Sequence, residues 1–276
     1  MMVNIVAVAG LELKLGIRNR WVILSVLILT LFAGILALVG SAPTGTVGVD
    51  RLTVTAASLS TLSVYLVPLI ALLLAFDTVA GEIDRGTLHL VLACPVSRFE
   101  ILAGKFLGHL AVLSIAVVAG YGLTGGAVAF AGDSGLAGFD VLARLIVTSI
   151  LLGAVFLGIG YLASALVRQT GTAAALAVGV WLVAVVLYDL GLLAMLLVDG
   201  DGIFATTLFP WLLVASPGDA FRLFNLAALG GAKSLTGMAG IAEALPFPPG
   251  VALASLFGWL VAAFGGALLV FRRIEP

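Results

Sequence analysis

Residues 58–76 read SLSTLSVYLVPLIALLLAF and carry no charged side chain. Coiled as a helix at about 1.5 Å per residue, such a run nearly matches the roughly 30 Å hydrocarbon core of a bilayer. Similar, predominantly apolar runs occupy 21–39, 106–131, 141–167, 173–198 and 251–271. Of the 276 residues, 62% are hydrophobic and 10% charged, and the mean hydropathy is +1.28. A soluble domain carries about 25% charged residues. The sequence therefore predicts an all-α integral membrane protein with about six transmembrane helices, since a helix satisfies its own backbone in lipid. The run 21–39 is longer than the roughly 7 to 15 residues of a signal-peptide core and is expected to be retained.

Working outward, residues 1–276 read as a single transmembrane domain. Its first segment, 1–20, mixes apolar stretches with Glu12, Lys14, Arg18 and Arg20, which suits a helix lying in the interface plane against membrane lipid. Two connections are long, 77–105 and 199–250, and the others are short. Nine of the thirteen basic residues, Lys14, Arg18, Arg20, Arg85, Arg98, Lys105, Arg168, Arg272 and Arg273, fall at one set of helix ends. The other set has Arg51, Arg144, Arg222 and Lys233 among Asp50, Asp133, Asp140, Asp199, Asp201, Asp219 and Glu243. By the positive-inside bias, both termini and 77–105 are expected in the cytoplasm, and 199–250 outside a cell's inner membrane.

The composition excludes several functions. A net charge of −1 gives no basic excess for phosphate contacts, so nucleic acid is not an expected partner. Cys94 stands alone, so no internal disulfide or multi-cysteine metal cluster can form within one chain. Gly104-Lys105 is followed by Phe106, and Ala232 precedes Lys233-Ser234, so neither site makes a G-K-[ST] phosphate cradle. His89 and His109 belong to no zinc-protease motif, and Met195 and Met238 are too few for a soft-metal site. No catalytic residue, cofactor or metal is expected on this chain.

Polar residues in 77–105 bracket an apolar middle, 88–93, as in short interfacial helices. Glu82, Asp84 and Arg85 could offer charge to a partner outside the lipid. Gly86 permits a sharp turn, Thr87 and Ser97 suit helix caps, and Pro95 interrupts the segment. In the outer connection, Pro210, Trp211, Asp219, Arg222, Phe224 and Asn225 fit two short amphipathic helices that either anchor at headgroups or dock a partner. Asp189, inside an apolar run, should face protein, with Arg144 its expected partner. Gly104 and Gly108, like Gly122 and Gly126, have the small-xxx-small spacing of close helix packing.

Glu82 with Gly86-Thr87, then Pro95 with Arg98, then Gly104-Lys105 resemble the E-x-x-x-G-T, P-x-x-R and G-K pattern of ABC-2 type permeases. That resemblance implies that 77–105 is a coupling element seated on a separate ATPase subunit. It makes Glu82, Asp84, Arg85, Gly86, Thr87, Pro95, Arg98, Gly104 and Lys105 its candidate residues. GIRNRW, VPLIALLLAFDTVAGE, GKFLGH and FPWLLVASPGDAFRLFNLA are further similar to the permeases of NosDFY complexes, which help mature the copper clusters of nitrous oxide reductase. This closer likeness implies a homodimer, two ATPase subunits holding ATP and Mg, and a periplasmic NosD-like partner. The alternative is a generic ABC-2 exporter of a lipid, drug or polysaccharide.

Overall fold

The computed structural model describes residues 2–18, 20–40, 51–93, 95–131, 136–199, 202–227 and 247–274. Cys94 and residues 228–246, much of the expected outer connection, lie outside the described residues. The regular structure within them is helical throughout. Five stretches are long and apolar enough to cross a membrane: Thr55–Asp84, Arg98–Phe130, Gly138–Leu166, Thr170–Asp199 and Gly250–Arg273. A further helix, Arg20–Gly40, contains the shorter apolar stretch Val26–Leu36. The chain is an all-α multi-pass membrane protein.

In chain order the elements are α1 (Met2–Ile17), α2 (Arg20–Gly40), α3 (Arg51–Ala75), α4 (Ala80–Asp84), α5 (Leu88–Leu92), α6 (Arg98–Ala131) and α7 (Leu136–Leu166). Next, α8 (Thr170–Trp181) passes through a wide helical turn, Leu182–Leu187, into α9 (Tyr188–Asp199). The chain then forms α10 (Phe209–Ala215), α11 (Pro217–Ala227) and α12 (Gly250–Arg273).

Helix α7 is the centre of the bundle, with α3 and α12 running parallel to it and α6 antiparallel. Lipid removes the hydrophobic drive between spanning helices, so close packing and buried hydrogen bonds must hold them. Glycines supply the closeness. A Cβ on Gly160 would lie 2.5 Å from that of Ala75, and one on Gly158 would lie 3.1 Å from that of Ala263. The buried Ser63 hydroxyl stands 2.7 Å from Tyr121 OH and 3.3 Å from Ser149 Oγ, linking α3, α6 and α7.

The third apolar run, expected from 106, begins its helix eight residues earlier. Ser97 and Glu100 form a capping box: the Glu100 amide donates to Ser97 Oγ, and the Ser97 amide donates to Glu100 Oε2 at 2.8 Å. The resulting 34-residue helix is about 51 Å long, well beyond the hydrocarbon core. Its first turns carry α1 alongside in parallel. A Cβ on Gly104 would meet Val8 Cβ at 2.6 Å, and one on Gly108 would meet Glu12 Cβ at 2.5 Å. Gly122 and Gly126 meet nothing within 4 Å, so the two glycine pairs do different jobs.

Helices α3, α7 and α12 end, and α6 and α8 begin, at one end of the bundle. It carries Arg85, Arg98, Lys105, Arg168, Arg272 and Arg273 and is called the basic end below. At the opposite end α10 and α11 fold back among α3, α7 and α12.

Candidate functional site

The segment joining α3 to α6 wraps across the basic end and bonds to most of the helices there. Gly86 adopts φ +67°, a left-handed conformation that favours glycine, and turns the chain between α4 and α5. The Thr87 hydroxyl donates back to the Glu82 carbonyl at 3.3 Å. Ser164 of α7 donates to the Phe76 carbonyl at 2.6 Å and accepts the Val79 and Ala80 amides, each at 3.0 Å. One hydroxyl thus satisfies the backbone where α3 stops. Asp84 Oδ2 accepts the Thr170 amide and hydroxyl at 3.2 and 2.8 Å, capping the first turn of α8. Arg98 Nη1 donates to the carbonyls of Phe271, Arg272 and Ile274 at 2.7 to 3.0 Å, capping the end of α12.

Beneath this wrap lies a compact ion cluster. Lys105 Nζ stands 2.7 Å from Glu12 Oε1 of α1 and 2.8 Å from Glu82 Oε1 of α4. Their side chains are 12 to 14% exposed. His109 Nε2 lies 3.7 Å from the other Glu12 oxygen, and its Nδ1 lies 2.8 Å from Tyr161 OH. Helices α1, α4, α6 and α7 therefore meet in one polar network.

These positions change the reading of the coupling residues. Of the candidate coupling residues, Glu82, Arg98, Gly104 and Lys105 turn inward and bind the segment to the bundle. Asp84, Arg85, Gly86 and Pro95 are exposed, and Arg85 pairs with Asp77 at 3.1 Å. With them, His89 is exposed and Leu90 is 71% exposed, an apolar side chain beyond the Gly86 turn. Ser164 and Tyr161 were not singled out from the sequence, and Glu12 was read only as one of the charges of an interfacial helix. Only Glu12 left a signal, as the one acidic residue in an apolar helix.

At the opposite end, Ser216 breaks the chain between α10 and α11. Tyr188 OH, Ser255 Oγ and Trp259 Nε1 donate to the carbonyls of Leu212, Val214 and Ala215 at 2.6 to 2.7 Å. A helix end among apolar neighbours needs such donors, and α9 and α12 supply them. Arg222 Nη1 is 3.0 Å from Asp219 Oδ1, and its Nη2 is 3.3 Å from Asp189 Oδ2. Asn225 Nδ2 donates to Thr148 Oγ1 at 3.0 Å. Burial pushes the Asp219 carboxyl up, the nearby Asp189 adds to this, and Arg222 and Ser216 oppose it, leaving it at about 7.

Two expectations are corrected here. Asp189 pairs with Arg222, not Arg144, which sits on α7 beside Asp140 at 3.6 Å and over the Phe224 ring at 6.0 Å. The physical reason is that α11 enters the bundle and brings its own guanidinium to α9. For the same reason Asp219, Arg222 and Asn225, expected on a docking face, are only 1%, 8% and 6% exposed and hold the re-entrant pair in place. Pro210 and Phe224 are half-buried, and Trp211 is 57% exposed, its ring 5.1 Å from that of Phe247.

Comparison with known proteins places this geometry. Residues 6–275 match a family described as ABC-2 family transporter protein. The chain is 40% identical over 268 residues to a probable ABC transporter permease protein NosY of Stutzerimonas stutzeri, covering 96% of this chain and 97% of that relative. It is 38% identical, with the same coverage, to the protein of that name in Pseudomonas aeruginosa.

Proposed function

This chain belongs to the ABC-2 transporter family, and from that premise we propose that it passes ATP-driven motion from a partner ATPase to the far side of the inner membrane. In this reading the domain is a single unit over 1–276, and the basic end with both termini faces the cytoplasm. The 77–105 segment is the ATPase seat. Two copies of the chain pair, and each seats an ATPase subunit that holds the ATP and Mg. The end process is assembly of the copper sites of nitrous oxide reductase, with a periplasmic partner docked on the outer region. The identity to permeases named NosY supports this assignment.

One observation carries the mechanism: the seat segment bonds to α6 through Glu82, whose partner Lys105 also holds Glu12 of α1, to α7 through Ser164, to α8 through Asp84 and to α12 through Arg98. A push on the exposed turn around Leu90 therefore displaces several helix ends together, because packed helices respond as rigid bodies. Contact and transmission fall on different residues. Leu90→Asp should abolish co-purification of the ATPase while the chain still inserts. Glu82→Gln should retain the ATPase but lower the activity that depends on the membrane domain. If Leu90→Asp leaves the complex intact, the seat lies elsewhere.

A further inference from the structure

We propose that Asp189, Asp219 and Arg222 form a proton-binding site that seats the re-entrant pair α10–α11 against α9 while the proton is held and loosens it when the proton leaves. This goes beyond the coupling role and does not depend on it. The first ground is charge count. Two carboxylates, on α9 and α11, share the single guanidinium of Arg222 at 3.3 and 3.0 Å. Asp219 is 1% exposed and Arg222 8%, while the Asp189 side chain is 27% exposed, so water screens the surplus negative charge only in part.

Among the described side chains, the packed elements supply no second positive charge to the pair of carboxylates. Helix α7 contributes Arg144, already beside Asp140 and over the Phe224 ring. Helix α9 contributes Tyr188, whose hydroxyl donates to the Leu212 carbonyl, and Asp199, which accepts the Ala205 amide at 3.0 Å. Among the described side chains, α3 and α12 bring neutral groups to this end, Ser60, Ser63, Ser255 and Trp259 among them.

The second ground is a buried acceptor with no donor. Asp219 Oδ2 meets none among the described residues. Its other oxygen, Oδ1, accepts from Arg222 Nη1 at 3.0 Å, and that same guanidinium also holds Asp189 Oδ2 at 3.3 Å. The raised Asp219 carboxyl, at about 7, agrees with this and puts the transition near neutrality. On deprotonation the cluster becomes a buried net negative charge and the two carboxylates repel. Asp189 lies on the α8–α9 span, most of whose surface is exposed within one copy of the chain.

The test uses the full-length chain in lipid nanodiscs. Infrared spectroscopy near pH 6 should show a protonated carboxylic acid band that disappears as pH rises through about 7, and that is absent in Asp219→Asn. If that variant does not accumulate, Asp189→Asn decides, because Asp219 would then pair one-to-one with Arg222 and ionise. Amide exchange at 209–227, corrected for intrinsic rates, should rise by up to about tenfold per pH unit between about pH 4 and about 7, where opening the seated segment releases its proton, and level off above that. In Asp219→Asn it should not change with pH. A band that is missing in the wild type or survives in both variants overturns the proposal, as does exchange protection that stays equal from about pH 4 to about 7.

Discussion

Lys105→Met is expected to be the most damaging single change at the basic end, through what it leaves behind. Glu12 and Glu82 each lie within 2.8 Å of the Lys105 ammonium, so their oxygens are no more than about 5.5 Å apart. At an effective dielectric of about 20, two unit charges at that distance repel by roughly 3 kcal/mol once the cation is gone. Each of these side chains is at least 86% buried, which places the loss near the lower end of the ~3–5 kcal/mol for breaking a buried ion pair. Glu12→Gln keeps the Lys105–Glu82 pair and should cost only about 1–2 kcal/mol. The triple change Lys105→Met, Glu12→Gln, Glu82→Gln removes the repulsion and should recover most of the loss. Denaturant titration of the purified chain in mixed micelles, followed by helical circular dichroism, reads all of these. If Lys105→Met is no worse than Glu12→Gln, or the triple variant is worse than Lys105→Met, the cluster is solvated and the argument fails.

Three further outcomes are expected. Gly108→Val should force α1 away from α6 at a cost of about 1–3 kcal/mol, seen as proteolytic release of 2–17, whereas Gly122→Val should be neutral because its Cβ meets nothing within 4 Å. Ser164→Ala should strip the Phe76 carbonyl and the Val79 and Ala80 amides of their shared partner and cost about 1–3 kcal/mol, with faster amide exchange at 76–81 and no effect at α10. Trp211→Ala, at a residue 57% exposed, should leave thermal stability within about 0.5 kcal/mol of wild type yet weaken capture of the periplasmic partner; normal capture would make Trp211 a lipid anchor.

What the sequence made legible follows from what hydropathy measures. The runs expected at 141–167, 173–198 and 251–271 appear as Leu136–Leu166, Thr170–Asp199 and Gly250–Arg273, because long apolar stretches have no alternative to a spanning helix. The start of α6 was hidden because Arg98, Glu100 and Lys105 read as a polar loop. Each charge in fact has a fixed partner: α12 carbonyls for Arg98, the Ser97 cap for Glu100, and two glutamates for Lys105. The polar pairings were illegible for a related reason. Glu12 and Lys105 are 93 residues apart, and Arg98 and the Phe271 carbonyl 173, so no local spacing marks them.

The re-entrant pair shows the same limit from the other side. Pro210, Pro217 and Gly218 punctuate the sequence into two short elements, and α10 and α11 form where those signals stand. Sequence punctuation says where a helix stops, but not whether water or protein lies beyond it. Here Tyr188, Ser255 and Trp259, from two other helices, provide the donors that let α10 end inside the bundle. Once the α10–α11 turn is admitted there, Arg222 must follow it inward. A buried guanidinium needs a carboxylate, so Asp189 of α9 becomes its partner and Arg144 is left at the rim with Asp140. Asp189 is met by protein through Arg222, and that partner follows only from α11 turning inward, which no spacing around Asp189 marks.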